Sequence, residues 1–251
     1  MPHEVSQMKI GIIGAGNIGA TLARLFAARG HDIKLANSKG PHTLESLANE
    51  IGVRAVTREE AVREVDVVIL SIPFAKYPDL RPILKDVPQS VVVIDTSNYY
   101  PARDGAIKEV DDGKPESLWV SEQIGRPVIK AWNAVLASTL ANNGQPVGSD
   151  LRIALPVAGD DTKAEAIAQD LVEETGFTAL AAGRLEDSWR QQPGTPAYCT
   201  ELTMPELKVA LQAADKKRAR ENLDAFMTRY MAAGGQLTHE QMVAINRELT
   251  V

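Results

Sequence analysis

The sequence predicts an α/β fold with a doubly wound, mainly parallel sheet and a helical extension at its C-terminal end. Short apolar runs alternate with helical segments over roughly the first 180 residues, which is the pattern of a parallel sheet with helices on both faces. The first apolar run leads directly into a G-x-G-x-x-G turn. After Gly183 the alternation ends, and a proline-rich loop and further helical segments follow.

Each strand is predicted from a short apolar run and each helix from the periodicity of the residues that follow it. The predicted strands are residues 8–13, 32–36, 53–56, 65–72, 91–95, 128–131, 151–157 and 177–181. The predicted helices between them are residues 21–29, 43–51, 115–123 and 162–175. A further helix is predicted to start at Thr57, because Glu60 follows at the spacing of a capping box.

The C-terminal segment is predicted to be a structured loop followed by helices. The loop contains Pro193, Pro196 and Pro205. Residues 206–233 are predicted to form one long helix, and Thr238 with Gln241 opens a last helix. The chain is therefore divided into a sheet domain, residues 1–183, and a loop and helical segment, residues 184–251. Because amphipathic helices beyond a complete sheet need a surface to cover, we expect a homodimer.

Composition argues against several classes of function. The net charge of −6 gives no basic face for nucleic acid or an anionic membrane surface. No apolar run approaches the ~20 residues of a membrane span. The single cysteine, Cys199, allows no disulfide within the chain, so we expect a cytoplasmic protein. The four histidines are scattered without the spacing of metal ligands, and no metal is expected.

The turn GAGNIG, residues 14–19, predicts a dinucleotide site. Gly14 permits a tight turn, Gly16 lets the backbone approach a pyrophosphate, and Gly19 allows the helix to pack closely on the strand. The helix N-terminus then directs free N–H groups toward the diphosphate. The alternative is a glycine-rich turn without a ligand, but the strand before it and the helix after it favour a nucleotide.

The end of the second predicted strand indicates which dinucleotide binds. NAD enzymes usually carry an acidic residue there, which binds the ribose hydroxyls and would repel a 2′-phosphate. This chain carries Asn37, Ser38 and Lys39 instead, with Thr43 following. Hydroxyls, a backbone N–H and a mobile positive charge suit a phosphate group. The sequence therefore predicts NADP(H), and the alternative is that Lys39 is an ordinary surface lysine.

Four segments together resemble the NADPH-dependent coenzyme F-420 reductase, or NADP oxidoreductase, family. They are MKIGIIGAGNIGATLARLFAARGHDIKLANSKGP, VVILSIPF, VVVIDTSN and VIKAWNAV, and the resemblance covers about residues 8–183. It implies a Rossmann-type fold and hydride transfer between the nicotinamide and a deazaflavin or flavin-like acceptor. From Glu186 onward the chain is longer than the archaeal deazaflavin enzymes and resembles an uncharacterised bacterial dinucleotide-binding branch instead.

The resemblance also implies positions for the cofactor. The diphosphate would be wrapped by Ala15, Gly16, Asn17 and Ile18. The 2′-phosphate would be taken by Ser38 and Lys39, where the family often has Ser-Arg; a lysine makes a point-charge contact instead of a bidentate one. The nicotinamide and its ribose would be lined by the segment Ser71, Ile72, Pro73 and Phe74. The floor beneath the nicotinamide would run from Ala131 to Ala137.

Residues for the substrate are expected on loops after the strands. Trp189, Arg190 and Tyr198 lie in the proline-rich loop and Asn133 follows the sixth strand. A polar loop beside a crevice suits substrate binding, and a subunit contact or a helix-docking segment is the alternative. The pair Tyr99-Tyr100 could stack on a ring, but a turn before Pro101 with both tyrosines packed on the surface is favoured.

No catalytic residue is identified from the sequence. Hydride transfer to a flat deazaflavin ring needs stacking geometry and little acid–base help. A ketone or imine acceptor would need a proton donor, for which Lys130, Tyr198 and Cys199 are candidates. Lys130 is more simply a structural residue on a strand, and Cys199 a small buried residue. Two further functions therefore stay open, a small carbonyl or imine reductase and an NADP(H)-binding sensor without turnover.

Overall fold

The computed structural model describes residues 7–250 and confirms the predicted doubly wound α/β fold. Its main sheet has six parallel strands in the order β3-β2-β1-β4-β5-β6. They are β1 Lys9–Ile13, β2 Asp32–Ala36, β3 Arg54–Ala55, β4 Val67–Leu70, β5 Val92–Asp95 and β6 Ile129–Lys130. The chain order reverses between β1 and β4, and at such a switch point open α/β sheets bind ligands outside the carboxyl ends of the strands.

Nine α-helices lie within residues 7–183. They are α1 Asn17–Ala28, α2 Glu45–Ile51, α3 Arg58–Ala61, α4 Arg81–Leu84, α5 Pro101–Asp104, α6 Lys108–Asp111, α7 Glu116–Ile124, α8 Ala137–Asn142 and α9 Thr162–Glu174. The capping box predicted at α3 is present: Thr57 Oγ1 accepts from the Glu60 N–H at 3.2 Å, and Glu60 Oε2 accepts from the Thr57 N–H at 3.0 Å. These paired bonds satisfy two N–H groups that the helix itself leaves free.

Alternate residues of the central strands belong to two separate hydrophobic cores. Val67 and Ile69 of β4 face the core that contains Phe26 of α1. Val68 and Leu70 face the opposite core, which contains aromatic residues of α7 and the segments after β4 and β5. Because both of its faces are buried, β4 is apolar at every position, as the sequence pattern predicted.

The last two predicted strands form, but they do not extend the main parallel sheet. They are β7 Ala154–Val157 and β8 Thr178–Ala181, which pair with each other in a separate two-stranded sheet. A single antiparallel bridge between Lys130 and Ala158 joins this sheet to β6. Trp132, two residues beyond β6, has a left-handed φ of 54°, and α8 follows before the chain reaches β7.

The prediction of a single long helix over residues 206–233 is wrong, because the helix ends at Ala213 and Ala214 has an extended backbone. The structure has α10 Met204–Ala213 and α11 Lys216–Ala232, followed by α12 His239–Leu249. Asp215 caps α11 through its Oδ1 atom, which accepts from the N–H groups of Lys217 at 2.8 Å and Arg218 at 2.9 Å. A residue that caps a helix has an extended backbone, so it starts a new helix instead of continuing the old one. The capping box predicted at Thr238 and Gln241 is present.

No helix within residues 7–250 is long and apolar enough to cross a membrane.

Candidate active site

The turn between β1 and α1 lies against the end of β4 in a way that only glycine allows at two positions. Gly14 has a φ of 112°, and a Cβ atom there would lie 1.9 Å from the carbonyl oxygen of Ser71. A Cβ atom at Gly19 would lie 1.9 Å from the carbonyl oxygen of Gly14. The two glycines therefore let helix, turn and strand approach to backbone contact.

Gly16 differs from these two glycines because it faces open space. A Cβ atom at Gly16 would have no heavy atom within 4 Å, and its φ of −76° is an ordinary backbone conformation. Asn17 beside it is exposed, and Ala15 and Ile18 are partly buried. No side chain caps this end of α1, so the N–H groups of its first turn are available to an anionic ligand. The turn thus offers backbone donors on an unobstructed surface.

The acid-free loop after β2 is organised by Asn37 and Thr43. Asn37 Oδ1 accepts from the Lys39 N–H at 2.9 Å, and Asn37 Nδ2 donates to Thr43 Oγ1 at 2.8 Å. Thr43 Oγ1 in turn donates to the Gly40 carbonyl at 2.8 Å. The side chains of Ser38 and Lys39 are exposed beside this ordered turn. Asn37 and Thr43, predicted from the sequence as phosphate contacts, thus use their side chains to shape the loop that presents Ser38 and Lys39.

The segment after β4 presents Pro73 at the surface and partly buries Ser71 and Ile72. Phe74, predicted to line the nicotinamide, is fully buried, and this part of the prediction is wrong. Its ring stacks on Trp119 with 4.8 Å between ring centroids, inside the core below the crevice. The 3-10 turn Phe74–Leu80 begins at this residue and rotates its side chain inward, where an aromatic ring gains most from burial.

The residues predicted to form the floor of the nicotinamide site differ in their exposure. Ala137 is partly exposed, but Ala131 is fully buried in the core and its side chain cannot reach a ligand. Asn133, predicted as a substrate contact, is 2% exposed. Its Nδ2 donates to Asn98 Oδ1 at 3.0 Å and to the Gln191 carbonyl at 2.7 Å, and its Oδ1 accepts from Gln191 Nε2 at 2.9 Å. Asn133 therefore joins three segments beneath the crevice and has little left for a substrate.

Trp189 and Arg190 pack toward the C-terminal helices, which supports the helix-docking alternative over the predicted substrate contact. The Arg190 guanidinium lies 4.5 Å from the Trp189 ring centroid, and its Nη1 donates to the Leu211 carbonyl at 3.3 Å. Lys216 of α11 lies 5.1 Å from the same ring. Arg190 also lines a surface groove of about 470 Å³ between β8 and α10. These contacts hold the proline-rich loop against α10 and α11.

Tyr198 comes from the same loop but lies beside the segment that follows β5. Its hydroxyl is 2.5 Å from the hydroxyl of Tyr100, and Asn98 Nδ2 lies 3.5 Å from it. Both tyrosines are partly exposed. Tyr99 is instead buried, and its hydroxyl donates to the Gly105 carbonyl at 2.9 Å and accepts from the Ile107 N–H at 3.0 Å. Tyr99 thus holds the turn, and Tyr100 and Tyr198 form a hydroxyl pair at the edge of the crevice.

A buried ionic cluster that the sequence did not reveal lies below this edge. Lys130 and Asp95 are both fully buried, and Lys130 Nζ lies 3.0 Å from Asp95 Oδ2, 2.5 Å from the Ser97 carbonyl and 3.9 Å from Glu116 Oε2. Asp95 also accepts from Tyr77 and Ser117 hydroxyls, at 2.5 Å and 2.7 Å. Lys130 therefore supports the crevice from below and is not placed to donate a proton to a substrate. A carboxylate as the last residue of an otherwise apolar parallel strand is the signal that could have located Asp95.

The carboxyl groups of this cluster have opposite shifts in their pKa values. Burial opposes ionisation of Asp95, but the charge of Lys130 and the hydroxyls of Ser97, Tyr77 and Ser117 hold its pKa below the ordinary value. Burial raises the pKa of Glu116 to about 8, because Lys130 lies too far away to offset the lost hydration fully. Its Oε2 atom has no hydrogen-bond partner within the described residues. Burial also raises the pKa of the Cys199 thiol to about 12, so the thiol stays protonated at neutral pH. This agrees with the sequence prediction that Cys199 is a small buried residue.

Within residues 7–250 no group of three or more His, Cys, Asp or Glu side chains could hold a metal ion.

Comparison with known proteins identifies a family and relatives that this chain is similar to. The family model described as "NADP oxidoreductase coenzyme F420-dependent" matches residues 9–99. The chain is 28% identical over 202 residues to the F420-dependent NADP reductase of Methanothermobacter thermautotrophicus. The alignment covers 74% of this chain and 85% of that protein. It is 35% identical over 108 residues to the protein YjhV of Escherichia coli, covering 43% of this chain and 79% of that protein.

A solved structure is similar over most of its length. The hypothetical protein SMa0349 from Sinorhizobium meliloti aligns with a TM-score of 0.66 and 32% sequence identity. The alignment covers 78% of this chain and 96% of that chain.

The shifted pKa of Glu116 makes a prediction about stability. Its folded-state pKa of about 8 lies above the ordinary value of 4.5, so the folded protein binds an extra proton between these values. The contribution of Glu116 to the free energy of unfolding is therefore complete below about pH 4.5 and is lost as pH rises through about 8. Glu116→Gln should flatten this decline, which urea denaturation at pH 5 to 9 would measure. The exposed Glu109→Gln is the matched control, and parallel profiles for wild type and Glu116→Gln would contradict the prediction.

Proposed function

The chain belongs to the coenzyme F420-dependent NADP oxidoreductase family, and we propose that it transfers hydride between NADP(H) and a deazaflavin or flavin-like acceptor. It is an NADP(H)-dependent oxidoreductase with a Rossmann-type fold. The proposal concerns the acceptor and the residues that bind both molecules. The free thiol of Cys199 suits a reducing compartment, and we place the protein in the cytoplasm.

The open surface at Gly16 is the observation that carries the proposal. The turn from Ala15 to Ile18 presents its backbone to solvent with space above it, as a diphosphate requires. Ser38 and Lys39 lie exposed on the ordered loop after β2, where a 2′-phosphate would meet a hydroxyl and a positive charge. In this arrangement the backbone binds the diphosphate and two side chains select the phosphorylated ribose.

The nicotinamide end would lie over the carboxyl ends of β4, β5 and β6, beyond the switch point. Ser71, Ile72 and Pro73 would line it from one side, and Ala137 from below. The Phe74 ring lies in the core, so it does not block this face, as a large ring would in a sensor without turnover. NADPH supplies the hydride when bound, and the chain orients the two reacting rings and excludes water.

The acceptor is tested by mixing the purified protein with NADPH and coenzyme F-420, with FMN and FAD in parallel. We expect the NADPH absorbance to fall rapidly with the deazaflavin or with a flavin. Oxidation with none of these, despite tight NADPH binding, would contradict the proposed acceptor and favour a sensor or a different small substrate. A ketone or imine that oxidises NADPH faster than the flat rings would favour the carbonyl or imine reductase alternative.

The NADP(H) assignment is tested at Lys39. Removing one charged contact to the 2′-phosphate costs about 1.5 kcal/mol, so Lys39→Ala should bind NADPH about tenfold more weakly and leave NADH binding unchanged. Fluorescence titration with each nucleotide measures both affinities. Lys85→Ala, an exposed lysine after α4, is the control. An unchanged ratio of the two affinities in Lys39→Ala would show that Lys39 is not a phosphate contact.

The partner of this chain is proposed to be a second copy. No described residue of the 17-residue helix α11 is buried. Leu223, Phe226, Met227 and Tyr230 recur at helical spacing on one side of it, and Met231 is 68% exposed. Such an apolar face next to charged residues is typical of a subunit contact.

Light scattering should therefore give twice the chain mass of 27.1 kDa. Phe226→Glu should shift the mass toward the monomer, because it places a charge within the proposed contact. Thr228→Glu, at an exposed position of the same helix, is the matched control. A monomer for the wild-type protein at micromolar concentration would refute the dimer.

A further inference from the structure

The Tyr100 and Tyr198 hydroxyls meet beyond the carboxyl end of β5, the end of the sheet where the proposed function places the nicotinamide. Tyr100 belongs to the segment that follows β5. Tyr198 is 98 residues further along the chain and is held in place by the neighbouring bond from the Cys199 N–H to the Ala134 carbonyl at 3.0 Å. Both rings are partly exposed. The pair is therefore partly accessible to solvent, unlike Lys130 and Cys199, which are buried.

The two hydroxyls have different neighbours. Asn98 Nδ2 lies 3.5 Å from the Tyr198 oxygen and presents a donor to it. The Arg103 guanidinium lies 5.2 Å from the Tyr100 ring centroid, and its positive charge partly offsets the rise that burial causes in the pKa of Tyr100. Either hydroxyl can donate in the bond between the two tyrosines. With the Asn98 amide and the Tyr100 hydroxyl beside it, the Tyr198 oxygen has two neighbours that can donate to a phenolate at this position.

Both phenols keep their protons at neutral pH. Burial raises the pKa of Tyr100 and of Tyr198, and the nearby positive charge of Arg103 offsets this only in part at Tyr100. A neutral phenol that is a weak acid in isolation can still donate a proton to an atom that gains negative charge during a reaction. The pair is thus chemically suited to the acceptor side of a hydride transfer.

We infer that Tyr198 is a catalytic proton donor to the hydride acceptor and that Tyr100 is a positioning residue that orients it and stabilises its phenolate. This inference rests on the proposed function. Hydride adds to the acceptor carbon, and the π electrons move to the conjugated oxygen or nitrogen atom. That atom takes the proton of the Tyr198 hydroxyl, and the phenolate regains a proton from water. One NADPH is oxidised, the acceptor gains two electrons, and one solvent proton is consumed.

The inference predicts an acceptor with a polar heteroatom conjugated to the carbon that receives hydride. A carbonyl, an imine or the ring nitrogen and oxygen of a deazaflavin all meet this requirement. An acceptor that takes electrons without a proton would gain nothing from Tyr198. The inference therefore restricts the acceptor to molecules that take up a proton together with the hydride, and it does not specify the size of the acceptor.

The test compares Tyr198→Phe, Tyr100→Phe and wild type with coenzyme F-420, FMN and the cyclic imine 1-pyrroline as acceptors. For the acceptor that wild type reduces, Tyr198→Phe should lower kcat about 100-fold, the low end for loss of a general acid. Tyr100→Phe should lower it about tenfold. The solvent deuterium isotope effect on kcat should be greater than 1 in wild type and should differ from that value in Tyr198→Phe. A purely structural role of Tyr198 would leave the isotope effect unaltered.

Binding provides a readout that needs no turnover. Titration of the same acceptor into the protein without NADPH, followed by fluorescence, should show about tenfold weaker binding to Tyr198→Phe because one hydrogen bond is lost. Lys85→Ala, at the exposed lysine after α4, is the control and should behave as wild type. Thermal unfolding checks that each variant is folded.

The outcomes separate the inference from the function on which it rests. If wild type reduces an acceptor and Tyr198→Phe matches it in rate, isotope effect and binding, the inference is wrong and the proposed function stands. If wild type transfers hydride to none of the three acceptors, the proposed function is wrong and the inference falls with it.

Discussion

The pairing of Lys130 with Asp95 is the interaction on which the crevice depends. Both groups are fully buried, and charges in so dry a place are tolerated only when every one of them is paired and hydrogen-bonded. Asp95 meets this demand by accepting bonds from Tyr77, Ser97 and Ser117 as well as Lys130. These donors come from the turn after β4, the end of β5, α7 and β6. One carboxylate therefore fixes the relative positions of four elements at the edge where ligands bind.

A second set of buried polar contacts connects further segments near this cluster. Asn133 binds Asn98 and Gln191, so it connects the end of β5, the turn after β6 and the proline-rich loop. Because partly satisfied buried amides are costly, this set holds its members in one arrangement. Tyr100 and Tyr198 lie at the outer edge of the same arrangement. Their hydroxyls are thereby held close together before any ligand arrives, which is what a proton donor requires.

The two halves of the proposed site are built by different means. On the cofactor side the chain uses backbone groups, the glycine turn and the uncapped start of α1, with Ser38 and Lys39 as exposed additions. On the acceptor side it uses side chains supplied by the C-terminal loop, which Trp189 and Arg190 anchor to α10 and α11. A fixed backbone site suits the cofactor, whereas the C-terminal loop contributes side chains to the proposed acceptor side.

The sequence by itself determined the fold, the glycine turn and most strand and helix positions, because these depend on local periodicity and on short motifs such as GAGNIG. Local pattern could not show that Phe74 and Ala131 turn into the core, or that Asn133 uses its amide internally. Nor could it show that Asp95 pairs with Lys130 or that Tyr100 meets Tyr198 across 98 residues of chain. Only the tertiary structure decided these points, because each depends on which distant segments pack together, and a residue's burial and partners are set by that packing.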